Sequence, residues 1–113
     1  MRQRKRIYEG MYIISATLSE ESRKKAVDKI LQGIAEKGGE VLKIHDMGRK
    51  KLVYSIQKKK EGHYFLIYFS APTKIIRDLW KEYYLHEDLL RFMIVQSDSV
   101  KESLEFKPLK IQA

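Results

Sequence analysis

Two stretches of this chain repeat one spacing. Val27, Ile30, Leu31 and Ile34 fall at i, i+3, i+4 and i+7, and Ile76, Leu79, Trp80 and Tyr83 do the same. At 3.6 residues per turn each set makes one apolar stripe along a helix, and such a helix must lay its stripe on another element. The chain supplies four extended segments for this. Tyr8 to Ile14 precedes the first helix, and Leu89 to Val95 follows the second. Between the helices lie Val41 to Ile56 and the aromatic run His63 to Phe69. The order strand, helix, strand, strand, helix, strand predicts an α+β, ferredoxin-like β-α-β-β-α-β sandwich. An antiparallel four-stranded sheet carries both helices on one face and leaves the other without them.

Local signals set the boundaries. Thr17 and Ser19 compete as the first N-cap, with Glu20 and Glu21 suited to the positive end of the helix dipole. Ala26 and Ala35 flank the stripe, and Gly38-Gly39 ends the helix because glycine takes the left-handed cap conformation without steric cost. The outer face pairs Glu20 with Lys24 and Glu21 with Lys25, worth a few tenths of a kcal/mol each. Val41 to Met47 breaks strict alternation, so a bulge is expected near Lys43, in one long bent strand that continues past Gly48 through Leu52 to Ile56. Gln57 to Gly62 reads as the hairpin loop, with Gly62 as its turn residue. Ala71-Pro72-Thr73 opens the second helix, capped by Ser70 or Thr73. The expected organisation is a single domain over 1–96 with a short basic arm at 1–6, followed by an extended or disordered tail over 97–113.

Charge narrows the function. The 113 residues hold 23 Lys and Arg against 15 Asp and Glu, a formal net charge of +8. The basic residues cluster in Arg2 to Arg6, Arg49 to Lys51 and Lys58 to Lys60, which points to a polyanionic partner, above all nucleic acid. The absence of cysteine excludes a disulfide framework, a thiolate nucleophile and a cysteine-bound zinc. His45, His63 and His86 are too far apart for a helical ligand pair and read as surface or structural residues. Gly38-Gly39 and Gly48 lack the spacing of a phosphate loop. The acylphosphatases share this outline but use an asparagine carboxamide beside an arginine, and this chain has no asparagine. No catalytic residue, metal, cofactor or small-molecule substrate is expected. Ile7 to Ile14 is too short to span a bilayer, and neither helix has a basic face suited to a membrane surface; a soluble intracellular protein is expected.

Gly62 to Tyr68 has a passing likeness to the base-stacking strand of RNA-recognition motifs. Tyr64 stands where that motif wants a small residue, and alternation must send either Phe65, Ile67 and Phe69 or Tyr64, Leu66 and Tyr68 beneath the helices. The aromatic strand therefore reads as core, and RNA is expected at the rim.

Gly48-Arg49-Lys50-Lys51-Leu52-Val53-Tyr54-Ser55-Ile56 resembles the signature of the ribosomal protein six family of the bacterial small subunit. The likeness runs from Arg6-Ile7-Tyr8-Glu9 through Lys58 and Gly62 to Leu66, and on to Arg91 to Val95. It departs at Val53, at Ser55, where the family often has proline, and at Leu90, frequently basic. The resemblance implies a structural protein of the cytoplasmic ribosome that binds the central domain of small-subunit ribosomal RNA together with ribosomal protein eighteen. It implies RNA contacts at Arg6, Tyr8, Lys58 and Arg91, with Arg49, Lys50 and Lys51 behind them. The alternative is a ferredoxin-like protein-interaction module or oligomeric regulator without RNA binding, supported by the apolar long strand and Phe106.

Overall fold

The computed structural model describes the backbone of residues 5–56 and 59–100, and the side chains of 5–52 and 60–100. The elements are β1 (Lys5–Ser15), α1 (Glu20–Glu36), β2 (Glu40–Ile56), β3 (Lys59–Pro72), a 3-10 turn (Thr73–Ile75), α2 (Ile76–Tyr84) and β4 (Leu89–Ser97). One sheet holds the strands in the order β2-β3-β1-β4, all antiparallel. This is the expected ferredoxin-like arrangement, with β1 and β3 central and β2 and β4 at the edges.

Ser19 wins the capping contest, its side chain accepting from the Ser22 amide at 3.1 Å. At the other end Gly38 takes φ of 91°, and the amides of Gly38 and Gly39 close onto Ala35 and Ile34 carbonyls. Val27, Ile30 and Ile34 are buried, whereas Ala35 faces solvent. They meet Leu79 and Tyr83 of α2 over a floor of Tyr8, Tyr12 and Ile14 from β1 and Phe65, Ile67 and Phe69 from β3. The Tyr12 and Tyr83 hydroxyls hydrogen-bond at 2.9 Å within this core. Burial pushes both phenols' pKa values up, Tyr12's the more completely.

The other set of β3 side chains, Tyr64, Leu66 and Tyr68, points away from the helices and is nonetheless buried, as is Ile13. Tyr68 donates to the Glu9 carboxylate at 3.0 Å across the register pair. On that face Met93 and Val95 of β4 remain exposed.

Several boundaries move. β1 begins at Lys5, so Lys5 and Arg6 belong to a strand and not to an arm. β3 begins at Lys59, which turns most of the expected hairpin loop into strand. Gly62 lies inside that strand opposite Ser15 and Lys50. Its role is close approach, because a Cβ there would collide with the Ile13 side chain. Only Glu21–Lys25 of the two expected α1 pairs forms, at 3.7 Å with both side chains mostly exposed. Trp80, assigned to the apolar stripe of α2, is 41% exposed. α2 lies over the edge strand β4, so its outer flank has no further strand beneath it.

Candidate nucleic-acid interface

The basic triplet Arg49-Lys50-Lys51 lies on β2, and its orientation is set three residues earlier. The register of β2 on β3 shifts between Asp46 and Gly48. Gly48 takes φ of 83°, and its amide donates to the Asp46 carboxylate at 3.0 Å. The same carboxylate oxygen sits 2.5 Å from Nε2 of His63, whose ring stacks on Phe65 with centroids 4.7 Å apart. A one-residue slip reverses the face of every later side chain. Beyond the shift Arg49 stands opposite His63 and Lys51 opposite Glu61, on the helix side, while Lys50 stands opposite Gly62 on the far side. Three consecutive cations are thereby split between two faces.

On the helix side the charge is partly neutralised, since Nε of Arg49 pairs with Glu61 at 3.2 Å. On the far side Arg91, Ile13, Tyr64 and Gly48 form one cross-strand row, and Lys50 follows in the next. Arg91 is exposed. Burial raises the Tyr64 phenol's pKa, and the positive field of Arg91 partly opposes it. Arg91 and Lys50 thus belong to one end of the helix-free face.

Arg6 and Tyr8 belong to the other end. Arg6 pairs with Ala71, and Ile13 in the Arg91 row lies seven positions further along β1, roughly 23 Å at strand rise. Tyr8 is 7% exposed and stacked on Phe69 at 5.6 Å, so its ring is committed to the core. Lys58 lies outside the described residues. The six described residues among the seven expected contacts therefore do not converge on one patch. They divide into a hairpin end with Lys50 and Arg91, a helix-side rim with Arg49 and Lys51, and the start of β1.

Sequence reading passed over the outer face of α2. Arg77, Trp80, Lys81 and Tyr84 are all exposed and fall at i, i+3, i+4 and i+7. The signal was present as a second stripe beside the apolar one. Among the described residues no group of His, Asp or Glu is arranged to hold a metal ion, and no helix is long and apolar enough to cross a membrane.

Residues 7–96 match the family model described as ribosomal protein S6. The small ribosomal subunit protein bS6 of Chlamydia felis is 58% identical over 103 residues, covering 91% of this chain and 92% of the relative. That of Protochlamydia amoebophila is 53% identical over 106 residues, covering 94% and 93%. The crystal structure of 30S ribosomal protein S6 from Thermotoga maritima superimposes with a TM-score of 0.78 at 32% identity, covering 83% of this chain and 89% of the other.

Proposed function

The chain belongs to the ribosomal protein S6 family, a family of structural small-subunit proteins and not of enzymes, and on that premise we propose that it binds the central domain of small-subunit ribosomal RNA together with ribosomal protein eighteen. The observation that carries this reading is the extent of the match, which runs from β1 to the end of β4. The charge agrees with it: a net +8 with Lys50 and Arg91 presented at one end of the sheet. Arg91 brings a planar guanidinium that can bridge two phosphate oxygens, and Lys50 a mobile point charge. Arg49 and Lys51 extend that end on the helix side, Lys58 is a further contact that the resemblance implies, and Arg6 adds a separate contact at the start of β1, with only the edge of Tyr8 available beside it.

Binding of a central-domain rRNA fragment across a salt series tests the assignment. Each phosphate contact removed should flatten the log-log slope by about one, so Arg91→Ala and Lys50→Ala are each expected to do so and to weaken binding several-fold. Unchanged slopes for both would remove these residues from the interface. A free homodimer that never sediments with small subunits would overturn the reading and favour the interaction module.

A further inference from the structure

Helix α2 sorts its charges by face. Glu82 pairs with Lys37, the C-cap of α1, at 2.5 Å, and that contact, with help from Glu36 and Asp78, holds the Lys37 pKa above its ordinary value. Glu87 and Asp88, just past the helix, line a groove of about 250 Å³ with Lys25 and Lys29 of α1. Glu82, Glu87 and Asp88 are thus directed toward α1. Arg77 and Lys81 are on the outside, exposed and without an ion pair among the described residues. Between these cations and the sheet stand two aromatic rings. Trp80 is 41% and Tyr84 72% exposed, with centroids 6.2 Å apart. Both rings rest edge-on against Phe92 of β4, at 5.3 and 5.4 Å.

A packing role accounts for one side of each ring and leaves the other to solvent. Alternating cations and half-supported aromatics, with Glu82, Glu87 and Asp88 turned away, match an unpaired polynucleotide. Its bases stack on aromatic faces while its phosphates meet Arg or Lys. A protein partner would be met better by an apolar patch without interleaved cations. We propose that the outer face of α2, formed by Arg77, Trp80, Lys81 and Tyr84, is a second RNA contact that receives single-stranded bases by stacking. The inference deepens the rRNA-binding reading and rests on it, but it places the contact away from the hairpin end and gives it a different physical character.

Trp80 is the sole tryptophan of the chain, so its emission reports on this surface directly. The full chain is titrated with a central-domain rRNA fragment and, separately, with an unstructured oligoadenylate of about ten nucleotides, a length within the range single-strand sites span. Both titrations are expected to quench Trp80. Tyr84→Ala, at a position 72% exposed, should lower the thermal midpoint by no more than a few degrees, through its lost contacts with Phe92 and Trp80, and weaken both interactions about tenfold without altering the salt slope. Arg77→Gln and Lys81→Gln should each flatten that slope by about one. Binding of the rRNA fragment at full affinity by Tyr84→Ala, with Trp80 emission unmoved in the parent, would overturn the proposal and leave the family reading standing. Quenching that occurs only when another small-subunit protein is added would also overturn it. Quenching by oligoadenylate without binding of the rRNA fragment would keep the stacking surface and sink the central-domain reading.

Discussion

The two edge strands differ in composition and in regularity. β2 runs for 17 residues, carries Glu40, Lys43, Asp46, Arg49, Lys50 and Lys51, and changes register three times along β3. β4 runs for nine residues with Arg91 as its one charged side chain, and changes register once along β1. An unpaired edge invites another strand, and charges and bulges discourage it. β2 has both defences, and its charges serve equally for a polyanion. β4 has neither in comparable measure, and its helix-side face is covered by the aromatic cluster of Trp80, Tyr83, Tyr84 and Phe92. One edge is thus tuned by electrostatics and the other by aromatic packing.

The largest expected effect breaks the β4 side by titration. Tyr12 and Tyr83 have raised folded-state pKa values. Above the ordinary tyrosine value near 10 the unfolded chain loses protons that the folded one keeps, so stability falls as pH rises. The contribution is complete below about pH 10 and is lost on approach to the folded-state values. Thermal midpoints followed by circular dichroism should fall steeply in that range, and Tyr83→Phe should make the fall shallower. An unchanged slope for Tyr83→Phe would show that these phenols are not the cause.

Next in size is truncation of one half-buried side chain on each edge. Phe92→Ala removes the ring that Trp80, Tyr83 and Tyr84 share and should cost about 2–3 kcal/mol. Ile44→Ala, at a position 40% exposed opposite Ile67, should cost about 1 kcal/mol. Urea denaturation measures both, and equal values would remove the contrast in packing. The smallest effect sharpens the β2 side: Gly48→Ala must hold a positive φ in open space and should cost about 1 kcal/mol. Its amide exchange should rise locally around Asp46 and His63 and not along β4.

Much of the architecture was legible because local chemistry agreed with the fold. The α1 stripe, the stop at Gly38, and the bulge near Lys43 in a single long strand were all readable from residue order. The hairpin was harder. Lys58-Lys59-Lys60 and Gly62 carry the composition of a loop, yet Lys59 to Gly62 extend β3. Gly62 is there because Ile13 approaches from β1, a constraint nearly fifty positions away in sequence. The candidate site was legible as residue types and not as a place, since the six described residues singled out by charge and resemblance fall in separate regions.

The sequence by itself determined the element order, the faces the helices bury, the basic balance and the family. These depend on periodicities within a few residues and on composition. Only the tertiary structure decided which cations share a surface. A positive φ at Gly48 and one register shift against β3 put Lys50 with Arg91 and turned Arg49 and Lys51 toward Glu61. Only the position of α2 above an edge strand left Trp80 and Tyr84 half uncovered beside Arg77 and Lys81. Spacing along a helix specifies which residues lie together, but the neighbouring element fixes how much of that stripe is buried.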